Sequence, residues 1–295
     1  MAESIGFVGL GNMGLPMAVN LLEADYDLHV FNRTATRAEG LLGRGATWAE
    51  SPRVLAERTG MVISMVADDE ALEAVSLGGQ GILAGLPSDG VHIDMSTVFP
   101  DTSRDLAKRY DERGVHFIAA PVSGRPDFAA AGQLVVYQGG PSQVLERCQP
   151  VFQVLGRTNI VVGEEPHLAS VMKLVTNFLI FSVIETLSET FTLAEKSGLE
   201  AQHLVDMIQV FYPSPIIQHY AGRIAQQHFS EPGATLGLMS KDIRHIRRLA
   251  DQAGAPLPLA DLVHRNFLAA LARGRSDLDV AALSTVLRET AGLES

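Results

Sequence analysis

Lys173 and Asn177 are the pair of side chains in this sequence best placed for chemistry. They lie four residues apart, a spacing that puts both on one face of an α-helix. Most of their neighbours between Leu174 and Ile180 are apolar, and burial disfavours a charged lysine, so we expect the pKa of Lys173 to fall. Such a lysine suits general acid–base chemistry at a carbonyl or carbinol, with Asn177 holding the oxygen or orienting the lysine. The alternative is a lysine whose ammonium extends from the helix edge into solvent.

Other polar groups follow predicted strands or lie on a later predicted helix. Ser96 and Thr97 follow one strand, and Ser123 ends another. The carboxyl ends of parallel strands are where doubly wound folds bind ligands, so the hydroxyls of Ser96 and Thr97 are candidates for binding. Lys241 is followed by Asp242 in a charged helical segment, whose alternative interpretation is a solvated helix face.

The element that must position these groups is a glycine-rich turn near the start of the chain. Gly9, Gly11 and Gly14 follow the apolar strand Ile5–Val8 and precede a predicted helix, a G-x-G-x-x-G spacing. Gly9 permits the tight turn, Gly11 lets a pyrophosphate approach the backbone, and Gly14 lets the helix pack close to the strand. The positive end of the helix then faces the phosphates. The alternative is an ordinary strand–helix turn without a ligand.

The end of the second strand indicates which nicotinamide cofactor is used. NAD-binding sites usually have Asp or Glu about 20 residues past the glycines, to hold the ribose 2′-hydroxyl. Here the sequence is Asn32-Arg33-Thr34, with Arg37 one helical turn further on. These groups attract a 2′-phosphate that a carboxylate would repel, so we expect NADP(H) rather than NAD(H). A solvated turn with a chance arginine is the alternative.

Strands and helices alternate through the first half of the chain, which predicts a mainly parallel sheet. The second half has the pattern of helices alone. We therefore predict an α/β protein with a Rossmann-type doubly wound sheet in residues 1–163, followed by an all-α domain in residues 164–295. The predicted strands are Ile5–Val8, Leu28–Phe31, Met61–Val66, Val91–Met95, His116–Val122, Leu134–Tyr137 and Asn159–Val162. The predicted later helices are Leu168–Lys196, Ala201–Tyr212, Ile216–His228, Leu238–Ala253, Ala260–Ala272 and Val280–Glu289.

Composition narrows the partners and the compartment. The net charge of −11 argues against nucleic acid as a main partner, although a local cationic pocket can still bind an anionic substrate. The single cysteine excludes an internal disulfide and fits the cytoplasm. We see no signal peptide at the start. The apolar stretch Leu174–Ile184 is interrupted by polar residues and is too short to span a bilayer, so no membrane association is expected.

Four ordered blocks make the chain resemble the β-hydroxyacid dehydrogenase family. The blocks are GFVGLGNMGLPMA at the start, DMSTVFP, APVSG at Ala120–Gly124, and MKLVTNF followed by LMSKD. That family includes 3-hydroxyisobutyrate dehydrogenases and glyoxylate/succinic semialdehyde reductases. The resemblance spans nearly the whole chain, and its helical half is similar to the C-terminal domain of 6-phosphogluconate dehydrogenase. An activity like that enzyme's is not expected, because no cationic cluster for a sugar phosphate is evident.

The resemblance implies a role for each block. The dinucleotide would contact the glycine-loop residues and the turn after the second strand, with further residues lining the nicotinamide end. Ser123 and Gly124 would hold a substrate carboxylate, Lys173 would be the catalytic acid/base, and Asn177 would assist it. Family members generally form dimers or tetramers through the helical domain, which fits the stretch Phe178–Leu193. The implied cofactor residues are Gly9, Leu10, Gly11, Asn12, Met13, Gly14, Asn32, Arg33, Thr34, Met65, Val66 and Thr97, with Lys241 closing over the cofactor.

Three departures from the family pattern concern the substrate more than the chemistry. Many members have a second glycine after the serine block, where this chain has Arg125-Pro126. Arg125 either contacts a substrate carboxylate or is a surface residue. The segment before the lysine, residues 163–168, lacks the usual glycines, and Thr176 stands where asparagine is frequent.

These features predict an NADP(H)-dependent oxidoreductase that interconverts a small hydroxy acid and its aldehyde or keto acid, without a metal. Lys173 would be the acid/base and Ser123 the carboxylate anchor. Imine reductases resemble this family and commonly have another residue at the lysine position, so reduction of an imine is the first alternative. A non-catalytic dinucleotide-binding scaffold is the second.

Overall fold

Residues 3–293 are described in the computed structural model of the chain. The chain divides into two compact units, Met1–Lys173 and Leu174–Ser295. The sequence places the boundary between residues 163 and 164, before the long helix, whereas this division falls inside that helix. The reason is packing: Ala169 is fully buried in a core cluster of the first unit, and Ser170 Oγ lies 2.8 Å from Ser103 Oγ.

The first unit is built on one sheet, formed in the described part of the chain by nine strands. They are β1 Ser4–Val8, β2 Asp27–Phe31, β3 Thr47–Trp48, β4 Met61–Ser64, β5 Val91–Asp94, β6 His116–Ala119, β7 Val122–Ser123, β8 Leu134–Gly139 and β9 Gly156–Gly163. The spatial order runs β3-β2-β1-β4-β5-β6, and β8 pairs with β6 and β7 on one edge and with β9 on the other. The strand order reverses direction between β1 and β4, which is the switch point where doubly wound sheets bind ligands.

The sheet is mainly parallel, as predicted, and its exceptions adjoin Ser123. The strand predicted over His116–Val122 is interrupted at Ala120 and Pro121, and its two parts, β6 and β7, follow β8 in one register, with Ala119 opposite Gly139 and Val122 opposite Val136. Both β6 and β7 therefore pair with β8 in the antiparallel sense, and β7 places Ser123 opposite Val135. The strand β3 carries too short a pattern to be predicted.

Helices cover both faces of this sheet. They are α1 Gly14–Glu23, α2 Glu39–Leu42, α3 Pro52–Thr59, α4 Asp69–Ser76, α5 Ile82–Gly85, α6 Pro100–Asp111, α7 Pro126–Ala130 and α8 Ser142–Leu155. The short helix α5 lies within a segment, Gly78–Gly90, whose glycines predict a loop. Strand β4 is buried along its whole length, as expected of a central strand covered on both faces.

The second unit is helical, as predicted, and it continues the helix in which the first unit ends. The helices are α9 Pro166–Lys196, α10 Ala201–Phe211, α11 Pro215–Gln226, α12 Leu236–Ala253, α13 Pro258–Ala272 and α14 Ser284–Thr290. The helix predicted from Val280 to Glu289 is a 3-10 turn, Val280–Leu283, followed by α14. Inside the unit, the rings of Phe181 and Phe267 meet edge to face with centroids 5.3 Å apart.

Candidate active site

The loop between β1 and α1 needs its three glycines for three different reasons. Gly9 has φ +100°, and a Cβ there would lie 2.2 Å from the Met65 carbonyl oxygen. A Cβ on Gly14 would lie 2.0 Å from the carbonyl oxygen of Gly9. No atom outside the immediate chain lies within 4 Å of the Cβ position at Gly11. The fold therefore requires Gly9 and Gly14, whereas Gly11 leaves open space beside the backbone, as a bound pyrophosphate needs.

The N-terminus of α1 follows this loop directly. Met13 stands at its N-cap and makes no side-chain capping hydrogen bond. The first N–H groups of a helix have no acceptor within the helix, and the helix dipole favours an anion beside them. Asn12 is exposed and Met13 is half-buried, but the Leu10 side chain is fully buried, so Leu10 can offer a cofactor only its backbone. The loop fits a dinucleotide phosphate.

The turn after β2 is tied to the glycine loop by Asn32. Its Oδ1 accepts a hydrogen bond from the Leu10 N–H at 2.9 Å, and its Nδ2 donates to the Thr34 carbonyl oxygen at 2.9 Å. Asn32 therefore shapes the turn, which the sequence alone does not show. Arg33 and Thr34 are exposed, and the exposed Arg37 reaches back to the Leu10 carbonyl oxygen at 3.5 Å. The cationic side chains of this turn are accessible to a phosphate.

The loops after β4 and β5 are joined by hydrogen bonds. Ser96 Oγ accepts from the Val66 N–H at 2.9 Å and donates to Asp94 Oδ1 at 2.7 Å. Ser96 is 1% exposed, so the expectation that its hydroxyl is available to a ligand is wrong. Thr97 is half-buried, and Met65 and Val66 are half-buried on the neighbouring loop. A second tie comes from Asp69, whose Oδ1 accepts from the Phe99 N–H at 2.7 Å.

A buried chain of polar side chains supports these loops from inside the sheet. Tyr110 OH lies 2.8 Å from His92 Nδ1, His92 Nε2 lies 2.8 Å from Ser64 Oγ, and Ser64 donates to Asp94 Oδ1 at 2.8 Å. All of these residues are fully buried. With Ser64 donating to the carboxylate, His92 must donate through Nε2 and accept from Tyr110. Sequence reasoning missed this chain, although polar residues inside the apolar strands MVIS and VHID were its signal.

Burial shifts the pKa of each titratable side chain in this buried hydrogen-bonded network, namely Asp94, His92 and Tyr110. It raises the pKa of Asp94 to about 6, with the hydrogen bonds from Ser96 and Ser64 opposing the shift. It lowers the pKa of His92 to about 3 and raises the pKa of Tyr110. Asp94 Oδ2 is buried without a hydrogen-bond partner in the described part of the chain. These groups form a scaffold below the loops, out of reach of a substrate.

Ser123, Tyr137 and Lys173 come together inside the first unit. Lys173 Nζ lies 3.5 Å from Ser123 Oγ, and the Tyr137 hydroxyl donates to Ser123 Oγ at 3.2 Å. Lys173 and Ser123 are half-buried, whereas Tyr137 is 5% exposed. The structure thus joins a lysine in α9 to a serine 50 residues earlier in the chain. Tyr137 is a member of this cluster that sequence reasoning did not identify.

The residues after Ser123 are shaped by local contacts. Gly124 has φ +144°, a backbone conformation that side-chain-bearing residues rarely adopt. Arg125 donates to Asp127 Oδ2 at 2.8 Å, and its guanidinium lies over the Phe128 ring, 5.6 Å from the centroid. Burial raises the pKa of Asp127, but the hydrogen bond and charge of Arg125 outweigh it and the net pKa is lowered. Arg125 is therefore held by an acid of its own segment.

The second unit holds a separate polar cluster around Asp242. This residue is 1% exposed; its Oδ1 accepts from Lys241 Nζ at 2.7 Å and its Oδ2 accepts from Asn177 Nδ2 at 2.7 Å. The interpretation of Lys241-Asp242 as a solvated helix face is therefore wrong. Asp242 immobilises the Asn177 amide. It belongs among the candidate site residues, although sequence reasoning did not select it.

Lys173 and Asn177 are both carried by α9. This helix is long and apolar enough, by length and composition, to cross a membrane. It also buries Asn177, Glu185 and Ser188, and Glu185 accepts a hydrogen bond from Asn266 Nδ2 at 2.6 Å. Glu185 Oε2 has no hydrogen-bond partner among the described residues. Buried polar groups that pack against other helices are typical of the core helix of a folded domain. The expectation that no membrane is involved remains a prediction.

Among residues 3–293, no three His, Cys, Asp or Glu side chains are grouped as a metal site requires. The predicted contact of Lys241 with a cofactor remains a prediction.

Comparison with known proteins gives matches to both halves of the chain. Residues 4–163 match the NAD binding domain of 6-phosphogluconate dehydrogenase. Residues 168–287 match the NAD-binding domain of NADP-dependent 3-hydroxyisobutyrate dehydrogenase.

Individual relatives are similar over nearly their full length. An uncharacterized oxidoreductase of Bacillus subtilis, YfjR, is 40% identical over 279 residues, which are 95% of this chain and 98% of that protein. Glyoxylate/succinic semialdehyde reductase 1 of Arabidopsis thaliana is 31% identical over 95% of this chain and 96% of its own length. The structure of Mycobacterium tuberculosis 3-hydroxyisobutyrate dehydrogenase with L-serine superposes with a TM-score of 0.87 at 28% identity, covering 98% of this chain and all of that one.

Proposed function

Because the chain belongs to the β-hydroxyacid dehydrogenase family of NAD(P)-dependent oxidoreductases, we propose that it interconverts a small β-hydroxyacid, or another short hydroxy acid, and its aldehyde or keto acid. The observation that carries this proposal is the contact between Lys173 Nζ and Ser123 Oγ at 3.5 Å. It pairs a proton donor with a hydroxyl that can bind a carboxylate. The names of the relatives, which include glyoxylate, succinic semialdehyde and 3-hydroxyisobutyrate, support short carboxylate-bearing substrates.

NADP(H) is the proposed cofactor, and the exposed turn after β2 supports the preference. Arg33, Thr34 and Arg37 would bind the 2′-phosphate, and the open backbone at Gly11 would receive the pyrophosphate. Met65, Val66 and Thr97 would line the nicotinamide end. Asn32 contributes by keeping the turn in place.

Lys173 is proposed as the general acid in reduction and the general base in oxidation. When bound, the reduced cofactor supplies the hydride for the carbonyl carbon. Protonated Lys173 would donate its proton to the oxygen of that carbonyl as negative charge develops there. Asn177 lies one helical turn further along α9 and would donate a hydrogen bond to the same oxygen.

Ser123 and Gly124 are proposed to hold the substrate carboxylate through the serine hydroxyl and the backbone N–H. Arg125 would contribute positive potential, reduced by its ion pair with Asp127. Asp242 is proposed to keep the Asn177 amide oriented, since it already accepts a hydrogen bond from it. Thus Lys173 carries the proton and the other residues position the reactants.

The chain is also proposed to form a homodimer or homotetramer through α9 and its neighbours. Leu179 is 65% exposed and Leu193 is 69% exposed, although both lie in an apolar stretch of the helix. Light scattering coupled to size-exclusion chromatography measures the state directly, and a monomer at micromolar concentration would contradict the proposal.

The first experiment compares NADPH and NADH oxidation at equal concentration. The substrates are glyoxylate, succinic semialdehyde, methylmalonate semialdehyde and one cyclic imine. We expect turnover of at least one carboxylate-bearing aldehyde, with NADPH preferred. A preference for NADH would overturn the cofactor proposal alone. Turnover of the imine without any aldehyde would overturn the substrate class and favour the imine reductase alternative.

A further inference from the structure

Tyr137 reaches the candidate active site from the core of the sheet. Strand β7 pairs Ser123 with Val135, and Tyr137 lies two residues further along β8, on the same face as Val135. Its ring is buried in an apolar cluster with Phe117 and Ala169. Its hydroxyl donates to Ser123 Oγ at 3.2 Å, across the diagonal of the two strands.

The Ser123 hydroxyl has a fixed number of hydrogen-bonding positions, and its contacts with Tyr137 and Lys173 use two of them. A serine oxygen has one proton to donate and two lone pairs that accept. Tyr137 donates to Ser123, and a protonated lysine can only donate, so Lys173 occupies the other lone pair. Both acceptor positions are then used. The proton of Ser123 is left for a third group that can accept it.

We propose that Tyr137 is a positioning residue that orients Ser123 as a hydrogen-bond donor and thereby selects substrates with a carboxylate. This inference rests on the proposed function, because it concerns the carboxylate anchor of that same site. A carboxylate has only acceptor positions, so it matches a hydroxyl whose lone pairs are already used. Without the tyrosine hydroxyl, one lone pair of Ser123 has no donor. The Ser123 hydroxyl can then rotate, and its proton no longer points toward the substrate.

The test is the selectivity of Tyr137→Phe between two aldehydes of equal chain length. Succinic semialdehyde carries a carboxylate where butanal carries a methyl group. Phenylalanine keeps the buried ring and removes only the hydroxyl. We expect kcat/KM for succinic semialdehyde to fall about 5- to 10-fold, the usual effect of one hydrogen bond, with butanal changed less than twofold. Equal losses for both aldehydes would show a merely structural role and overturn the proposal.

Two further variants test whether the change in selectivity is specific to Tyr137 and passes through Ser123. Tyr26→Phe removes the hydroxyl of a partly buried tyrosine of the same unit and should leave the selectivity unchanged. In a Ser123→Ala background, Tyr137→Phe should cause no further loss of selectivity, because its effect passes through the serine. An additional loss of the same size in that background would contradict the assignment.

A binding measurement separates this inference from the proposed function. Calorimetric titration of 4-hydroxybutyrate into the protein with NADPH, a pair that cannot react, should give a Kd about 5- to 10-fold higher for Tyr137→Phe than for the unaltered chain. Equal Kd values would overturn the role of Tyr137, as would an unaltered chain that binds no hydroxy carboxylate. Binding without turnover by the unaltered chain, with the expected difference in Kd, would support the inference and overturn the proposed reaction.

Discussion

Two aspartates are almost completely buried, one in each compact unit, and their surroundings differ. Asp94 in the first unit is 0% exposed and receives hydrogen bonds from Ser64 and Ser96 on a single oxygen. Asp242 in the second unit is 1% exposed, and each of its oxygens has a partner, Lys241 on one and Asn177 on the other. The first carboxyl group is surrounded by hydroxyls, the second by a cation and an amide.

The two aspartates therefore have different roles. Asp94 belongs to the buried scaffold beneath the loops, and Asp242 is a charged support that holds Lys241 and Asn177. A buried carboxyl group without a facing cation is easily protonated, which is why the pKa of Asp94 is raised to about 6. Asp242 lies beside an ammonium that compensates its charge. Neither carboxylate is placed to exchange a proton with a substrate, since Asp94 is fully buried and both oxygens of Asp242 are engaged. Both observations are consistent with the acid–base role proposed for Lys173.

The largest expected effect is that of Lys173→Ala. Removal of a general acid–base residue usually lowers the rate about 10²- to 10⁴-fold, and we expect kcat in aldehyde reduction to fall within that range. Lys196→Ala, at the exposed end of the same helix, is the control and should keep full activity. Full kcat in a folded Lys173→Ala protein would assign the proton to another group, and the two carboxylates would become candidates again.

Asp242→Ala tests the charged support. The change leaves Lys241, whose side chain is 12% exposed, without its carboxylate partner. Breaking a buried ion pair in this way typically lowers the free energy of unfolding by about 3–5 kcal/mol. The matched control is Glu57→Gln, which removes the exposed ion pair with Arg53 and should cost no more than about 1 kcal/mol in urea titrations. Equal small losses would remove the distinction between buried and exposed pairs.

Asp94→Asn tests the scaffold through pH. The pKa of Asp94 is raised from 3.8 to about 6 in the folded chain, so as pH rises from 4 to 6 the unfolded chain releases this proton first. The unaltered protein therefore loses stability from Asp94 over that window. His92 acts in the opposite direction. Its pKa is lowered from 6.5 to about 3 in the folded chain, so the stability that it contributes is lost as pH falls through that range.

The asparagine variant should therefore gain stability relative to the unaltered protein as pH rises. We expect the difference in unfolding free energy to shift in its favour by roughly 2 kcal/mol between pH 4.5 and pH 7.5. Urea denaturation at both values measures it. A difference that is the same at both values would mean that Asp94 stays ionised and that the contrast with Asp242 fails.

The smallest effect is expected at the end of β2, where Asn32-Arg33-Thr34 carries no carboxylate at all. Arg33→Ala should raise KM for NADPH about tenfold through loss of a charge-assisted hydrogen bond and leave KM for NADH nearly unchanged. Arg109→Ala, an exposed arginine in the last turn of α6, is the control. An equal rise for both cofactors would show that Arg33 acts on the shape of the turn and does not bind the 2′-phosphate.

The parts of the site that could be predicted were those with a local pattern. The glycine spacing, the end of β2 and the four-residue interval between Lys173 and Asn177 depend on neighbours along the chain, and each lies where its pattern indicated. Ser96 shows where this reasoning fails. Its position after a strand is that of a ligand-binding hydroxyl, but contacts with Asp94 and Val66 turn it inward.

The sequence by itself determined the order of the elements, the doubly wound sheet followed by helices, and the family. These follow from periodicity, glycine spacing and ordered blocks, which are properties of short stretches. Only the tertiary structure decided that Tyr137 donates to Ser123, that Asp242 holds Asn177, and that His92, Ser64 and Asp94 form one buried chain. Each of these contacts joins residues from different elements, 14 residues apart for Tyr137 and Ser123 and 65 apart for Asn177 and Asp242. Their hydrogen-bond geometry exists only once strand register and helix packing are set, and no local pattern records it.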